Sequence, residues 1–141
     1  MECPEAFTQA TYVQVAREVR FDGRSLTLLD LAPSTICLAH EPGATAGHLP
    51  TGLFLDHWYD QLEGASVRPV PAVLSLLDAD RAPASDSQVL LSLPRIREAG
   101  LQYQIQLVEG EIPPTSGACV LFIGSAVAPV DAEGGCINPS G

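Results

Sequence analysis

Apolar and polar residues alternate over several stretches of this chain, and the alternation predicts β-strands. Within residues 12–21, valine and phenylalanine fall on one face while Gln, Glu and Arg fall on the other, which is typical of a half-buried strand. An Asp-Gly turn follows, and Ser25–Leu31 resumes the alternation, so Val13–Leu31 is predicted to be a hairpin. The predicted inward face of its first strand consists of Val13, Val15, Val19 and Phe21.

Five further segments are short, apolar and bounded by proline or glycine. The clearest is Leu101–Leu107, in which Leu, Tyr, Ile and Leu alternate with three Gln and are predicted to point inward. Asp78–Ser87 is expected to be an exposed loop, and Pro94 is expected to end the strand before it. The five predicted strands are Ser34–Leu38, Ala72–Leu77, Val89–Leu93, Leu101–Leu107 and Ala118–Ile123.

One segment has helical periodicity. The segment Ala39–Pro50 is rich in Gly, Ala and Pro and is predicted to be a loop, whereas Thr51–Leu62 is predicted to be an α-helix. Thr51 is a suitable N-cap, and an apolar stripe at i, i+4 and i+8 follows it. The stripe consists of Phe54, Trp58 and Leu62.

These elements predict a mainly β fold. About seven short strands and one helix indicate an antiparallel β-sandwich or a partly open barrel, because a parallel sheet needs several crossover helices. Residues 1–123 are expected to form a single domain, and residues 124–141 are expected to form a Gly/Ala/Pro-rich tail. A chain of 141 residues buries enough surface for one self-sufficient core.

The charge balance excludes some partners. Seventeen Asp and Glu stand against seven basic residues, all Arg, which gives a formal net charge of −10. Unaided binding to nucleic acid or anionic lipid rests on cations, so neither is expected. The longest apolar runs are far shorter than the roughly 20 residues of a membrane-spanning helix, so no span is predicted. The chain contains no Lys, which removes Schiff-base and P-loop chemistry.

The four cysteines, Cys3, Cys37, Cys119 and Cys136, follow no metal-binding spacing. A domain of this size folds without disulfides, so we expect mostly reduced and buried thiols. Cys136 lies in the predicted tail and is the one expected to be reactive or bridged. The first residues form no intact signal peptide.

Every histidine lies between positions 40 and 57. Imidazole and carboxylate are ligands for zinc, copper, nickel and iron, so one hypothesis is a metal site formed by His40, His48, His57 and Asp56. The alternative is that these histidines cap, form hydrogen bonds or face water, since their spacings match no metal motif. Acid-base chemistry by Asp56 and Asp60 is a further hypothesis, against the reading that they form the solvated side of the helix. No catalytic residue and no cofactor is assigned.

The same segment contains the candidate binding residues. Its Gly/Ala-rich stretch ends at the predicted helix N-terminus, which favours an anion, and Trp58 and Tyr59 could line a pocket between helix and sheet. The alternative for Trp58 is a place in the core. The predicted ligand-binding residues are Gly47, His48, Thr51, Trp58 and Tyr59.

Several short motifs give a family resemblance. They are Phe21–Leu28, Ala32–Thr35, Ala46–His48, Phe54–Trp58, Ala72–Leu76, Leu101–Gly110 and Leu121–Ile123. In this order they resemble a family of small uncharacterised bacterial β-rich proteins, often exported, which has an Ala-Gly-His loop before a Phe-Leu-Asp-x-Trp helix. The resemblance implies a periplasmic or extracellular location; without it, a cytoplasmic one is expected. His40-Glu41-Pro42 departs from the Asp-Arg-Pro of that family.

We therefore predict a soluble, acidic, non-enzymatic module that binds a protein or a small ligand through residues 39–62. The alternative is a small metal-binding protein or enzyme at the histidine cluster. An exposed β edge could also support a homo-oligomer, and Leu101–Leu107 is one example of such a strand. The alternative is that its outward glutamines form a solvated face of the sheet.

Overall fold

Nine strands and one helix make up the described part of the chain, which in this computed structural model comprises residues 10–39, 45–62, 69–77 and 85–124. The helix α1 is Thr51–Leu62. The strands are β1 (Ala10–Phe21), β2 (Ser25–Leu31), β3 (Ser34–Ala39), β4 (Thr45–Pro50), β5 (Val70–Leu76), β6 (Ser85–Ile96), β7 (Gly100–Glu109), β8 (Thr115–Ser116) and β9 (Cys119–Ile123).

Six of the strands close into an antiparallel barrel. Their order is β2-β7-β6-β5-β9-β1, and the ring closes because β1 also pairs with β2. The strands β3 and β4 extend the sheet outward from β1, and the short strand β8 pairs with β1 as well. The prediction of a mainly β fold with one helix is confirmed, and of the two architectures offered, the barrel is the one observed.

Strand β1 belongs to the barrel and to its extension at once. Its second half pairs with β2, while Ala10–Val13 pairs with β3 along the same edge. Pro33 lies between these two partners, and the Ala32 N–H donates to the Val15 carbonyl (2.9 Å) where the pairing changes. The chain therefore leaves the barrel at Pro33, and β3 and β4 form a two-stranded flap beside it.

The prediction for the inward face of β1 was wrong at Val15, whereas Val13 is buried and Phe21 packs against the core, as predicted. Gln14 is buried at 1% exposure and Val15 is 39% exposed, whereas Val19 points inward as predicted. The inward side changes phase between Ala16 and Val19, opposite the segment of β2 in which Asp30 has a φ of 55°. Single-residue alternation cannot show such a change of phase, because it assumes a regular pleat.

Helix α1 fills the barrel interior with aromatic side chains. Phe54 and Trp58 are buried, and their ring centroids lie 6.0 Å apart. Phe54 contacts Tyr12 of β1 (5.1 Å), and Trp58 contacts Tyr103 of β7 (5.7 Å). The predicted apolar stripe of the helix is thus its core-facing side, although the side chain of Leu62 lies outside the described set.

A chain of buried polar side chains crosses the same interior. The Tyr103 hydroxyl donates to Gln14 Oε1 (2.8 Å), and Gln14 Nε2 donates to Thr35 Oγ1 (3.2 Å). The hydroxyl of Thr35 shares a hydrogen bond with that of Thr51 (3.0 Å) at the start of the helix. A buried amide is costly unless it is hydrogen-bonded, so this chain explains why a glutamine is tolerated in the core.

Two of the predicted loops contain strand. The prediction of a loop over Ala39–Pro50 was wrong for Thr45–Pro50, which is β4 and pairs with β3 over its whole length. Residues 40–44 lie outside the described set. Strand propensity is low in this segment, but a neighbouring strand edge overrides propensity. The loop predicted over Asp78–Ser87 was also wrong for residues 85–87, which belong to β6, while residues 78–84 lie outside the described set.

Pro94 does not end the strand that precedes it, contrary to prediction. The register between β6 and β7 shifts between Ser92 and Arg95, and Leu93 has a φ of 50°. Proline is tolerated in a sheet at such a bulge. The Pro94 carbonyl accepts a hydrogen bond from the Tyr59 hydroxyl (2.5 Å), so the bulge also fastens helix α1.

Strand β7 follows its predicted alternation only in part. Leu101 and Tyr103 are buried, Ile105 is half-buried and Leu107 is exposed, because β2 pairs only with the first half of β7. This half lies between β2 and β6 and is not an exposed edge, whereas Gln106 and Leu107 pair with β6 alone among the described strands. Strand β8 was not predicted, since two residues are too few to show a period.

The predicted tail from residue 125 onward, Cys3 and Cys136 all lie outside the described residues. Within the described ranges, the helix is too short and not apolar enough to span a membrane.

Candidate functional site

The flap formed by β3 and β4 has an open edge. Strand β4 pairs with β3 from Ser34↔Pro50 to Ala39↔Thr45, and no other described strand pairs with it. Barrel closure gives each of the six ring strands two neighbours, so among the described strands longer than two residues β4 is the one with a whole edge that no strand covers. An open edge of this kind is a template for pairing with another chain.

The register of the flap identifies which backbone groups of β4 point outward. The Thr51 N–H donates to the Pro33 carbonyl (3.1 Å), one step beyond Ser34↔Pro50. Hydrogen-bonded pairs alternate in an antiparallel ladder, so residues 45, 47 and 49 face β3. The N–H and C=O groups of Ala46 and His48 therefore point to the open edge, together with the carbonyl of Pro50.

Apolar side chains cover the outside of the sheet next to this edge. Val15, Ile36 and Leu38 are 37–39% exposed, and three half-buried residues of β5 and β9 continue the same surface. Cross-strand register places them on one side, since residues directly opposite each other share a face. This outer apolar face consists of Val15, Ile36, Leu38, Val73, Val120 and Phe122. Thr11 and Val13 lie on the same side, opposite Leu38 and Ile36, and both are buried.

The outer apolar face and the edge strand carry no formal charge. Neither β3 nor β4 contains Asp, Glu, Lys or Arg, although the whole chain has 24 such residues (17 acidic and 7 basic). Charged groups lie at the borders of the outer apolar face. Arg17 pairs with Asp30 beyond Val15 (3.5 Å), and Asp86 lies on β6, beyond β5. His48 of β4 is exposed and lies opposite Ile36.

The other side of the barrel has an outer surface of the opposite kind. Gln104 Nε2 donates to Ser25 Oγ (2.8 Å), and Gln102 Nε2 donates to Thr27 Oγ1 (3.5 Å). Ser92 lies opposite Gln104 on β6. This outer polar face confirms the prediction that the glutamines of β7 point away from the core, and its hydrogen-bonding groups suit contact with water.

The predicted ligand-binding residues are divided between the core and the surface. Thr51 and Trp58 are buried, in the polar chain and in the aromatic cluster respectively. Tyr59 is 48% exposed and holds the β6 bulge. Gly47 and His48 lie on the edge strand. The role of these five residues as ligand contacts stays a prediction.

The predicted metal ligands are only partly described. His48 and Asp56 are both exposed, on β4 and α1 respectively, while His40 and the side chain of His57 lie outside the described residues. Among the described residues, no three His, Cys, Asp or Glu side chains are grouped so that they could hold a metal ion. The four-residue metal site therefore stays a prediction, to be tested by elemental analysis of the purified protein.

The described contacts also bear on the predicted anion site and on the predicted acid-base pair. The first N–H of the helix, that of Thr51, already donates to the Pro33 carbonyl, which removes one donor from the predicted anion site. Asp56 is exposed, in agreement with a solvated side of the helix, whereas the Asp60 side chain is not described. The acid-base hypothesis and the anion site both stay predictions.

Two thiols lie in the core. Cys37 and Cys119 are both fully buried, on β3 and β9. Burial raises the pKa of the Cys119 thiol to about 11, so the thiolate fraction near neutral pH is small. The burial of both side chains matches the expectation of buried cysteines at these two positions.

The sequence reasoning missed the outer apolar face. A signal was present: Val13 and Val15 alternate with polar residues on β1, and Ile36 and Leu38 alternate on β3. Alternation shows that a strand has two faces but not which one is inside. The alternation therefore assigns Val15 to the core, although Val15 is exposed and its neighbour Gln14 is buried.

The comparisons with known proteins add no relative. The chain matches no protein family, and no curated protein or solved structure is similar to it. The resemblance to small bacterial proteins stays a prediction, and so does the exported location that it implies.

Proposed function

We propose that this protein is a non-enzymatic protein-binding module, whose binding surface is the outer apolar face together with the edge strand β4. The proposal keeps part of the segment that the sequence indicated, because Gly47 and His48 belong to β4. The centre of the proposed binding site lies on the sheet and not on helix α1. Helix α1 serves the core through Phe54 and Trp58.

One observation carries the proposal: an apolar, uncharged surface spans four neighbouring strands in a chain of net charge −10. Folding does not need it, since these side chains point away from the barrel interior. Contiguous exposed apolar surface of this kind marks interaction sites in soluble proteins. Protein interfaces are also depleted of charge at their centre.

The shape of the surface favours a protein over a small molecule. Small ligands bind in concave sites that enclose most of their area, whereas the outside of a barrel is convex. The barrel interior is filled by the helix side chains and by the polar chain through Gln14. A broad apolar sheet surface beside a free strand edge suits a partner that covers the one and pairs with the other.

Site-specific photo-crosslinking in the native host cell tests the proposal. A photoreactive phenylalanine analogue is placed at Leu38 on the outer apolar face or, as the matched control, at Gln104 on the outer polar face. We expect discrete cross-linked protein products from position 38 and none from position 104. Ile36→Glu places a charge beside the probe and is expected to remove those products.

The two positions carry the same probe, so background reaction affects both equally. The same products from both positions, or none from position 38, would contradict the proposal. Circular dichroism of each variant confirms that the barrel is intact, and the two substituted side chains are outward, so the core is unchanged.

A further inference from the structure

We propose that β4 pairs with β4 of a second copy of this chain, antiparallel about a two-fold axis at Gly47. The barrel sheets of two molecules then join into one. The inference rests on the proposed function in that it takes β4 and the outer apolar face as one interaction surface, and it names the partner at the edge.

The outward backbone groups of β4 fit a second copy of themselves. With the axis at Gly47, Ala46 of one copy lies opposite His48 of the other, and this happens twice. Both residues direct N–H and C=O groups to the open edge, so the two pairs form four hydrogen bonds. A register centred on His48 would instead place Ala46 opposite Pro50, which has no N–H to donate.

Glycine at the axis suits the geometry of this register. Gly47 would face its own copy in a non-hydrogen-bonded pair, where the two Cα atoms come closest, at about 4.5 Å. The absence of a side chain leaves this close approach unobstructed. The pairs on either side of the axis carry only Ala46 and His48 on the outer surface, which are exposed and have room to meet.

Charge does not oppose pairing at β4. Two molecules of net charge −10 repel each other over most of their surfaces. Neither β3 nor β4 contains an acidic residue, so the two paired strands bring no carboxylates of their own together. The outer apolar faces next to each flap then continue across the joint.

Sedimentation equilibrium of the purified chain gives the first test. We expect the mass to approach twice 14.9 kDa as the protein concentration rises from micromolar to millimolar. The double variant Ala46→Lys/His48→Lys places like charges opposite each other across the axis, and such pairs are destabilising. We expect it to remain a monomer over this range.

Two further variants separate pairing from folding and fix the register. Thr27→Lys/Gln104→Lys adds the same charge on the outer polar face and is expected to dimerise like the natural protein. Ala46→Lys/His48→Glu gives two Lys–Glu pairs in the register centred on Gly47 and is expected to restore the dimer. In a register centred on His48, it would place two glutamates in contact and fail to do so.

A natural chain that stays monomeric up to millimolar concentration overturns the inference, and so does a dimer that the Ala46→Lys/His48→Lys variant leaves intact. Neither result touches the proposed function, which the cross-links from position 38 decide. A dimer with no cross-links from position 38 would support pairing through β4 and contradict the proposed function. Cross-links from position 38 to a different protein, with a monomeric natural chain, would assign the surface to that protein instead.

Discussion

The barrel interior and the outer apolar face are both built from large apolar side chains, but only one of them has its partners within the described chain. Phe54 and Trp58 contact tyrosines of β1 and β7 and are almost fully buried. Ile36 and Leu38 keep more than a third of their surface in contact with solvent. Interior residues are therefore explained by folding, whereas the outer ones call for an explanation in binding.

The interior and the outer apolar face should differ in how much they contribute to the free energy of unfolding. Substitutions in the interior should lower the free energy of unfolding by several kcal/mol, and substitutions on the outer apolar face should hardly change it. If residues of the outer apolar face contribute little to folding, binding is the remaining reason for their apolar side chains.

The largest effect is expected for Trp58→Ala. It removes the side chain that links Phe54 to Tyr103 and leaves a cavity in the barrel, so we expect a loss of about 3–5 kcal/mol in the free energy of unfolding. Urea denaturation measures it. Leu53→Ala on the exposed side of the same helix is the control and should change stability by about 0.5 kcal/mol or less. Equal effects of the two substitutions would mean that the helix does not pack as described.

The core-facing side of the helix and the strand β7 could be predicted from the sequence. The spacing of Phe54 and Trp58 predicts the buried side of a helix, and the alternation in Leu101–Leu107 predicts a strand with glutamines outside. Gln14 was out of reach, because its burial depends on Tyr103 and Thr35, which are distant in the chain. The edge strand was out of reach for a similar reason, since a Gly/Ala/Pro-rich segment becomes a strand only when β3 lies beside it.

A smaller effect is expected for Tyr103→Phe. The substitution keeps the ring against Trp58 and removes the hydroxyl that donates to Gln14 Oε1. A buried acceptor left without its donor costs about 1–3 kcal/mol, and urea denaturation is again the measurement. The double variant Gln14→Leu/Tyr103→Phe removes both partners and should recover part of the loss. No loss in the single variant would show that Gln14 Oε1 finds another donor.

The Asp22 turn gives a weaker and pH-dependent effect at a fully exposed position. Its carboxylate accepts hydrogen bonds from the backbone N–H groups of Ser25 (2.7 Å) and Arg24 (2.9 Å), and these lower the pKa of Asp22 below its ordinary value of 3.8. Because the pKa is lower in the folded state, the stabilisation is present above about pH 4 and is lost as the pH falls through the folded-state pKa.

Thermal melting of Asp22→Ala against the natural chain tests this sign. We expect a lower melting temperature for the variant at pH 7 and a smaller difference at acidic pH, where the natural carboxyl is protonated. Asp22→Asn keeps an acceptor oxygen for the turn and should show little pH dependence of its own. A difference that grows as the pH falls would contradict the assignment.

The smallest effect is expected for Leu38→Ala, which can be matched to the same change at Leu121. Leu121 points into the barrel and is fully buried, so its truncation should cost about 2–5 kcal/mol. Leu38 points outward and is already 37% exposed, so its truncation in the monomer should cost about 1 kcal/mol or less. The order reverses for binding: Leu38→Ala should weaken the contacts of the outer apolar face, while Leu121→Ala should affect them only by unfolding the protein. If Leu38→Ala lowered stability as much as Leu121→Ala, Leu38 would be a core residue, and the argument for a binding surface would lose its basis.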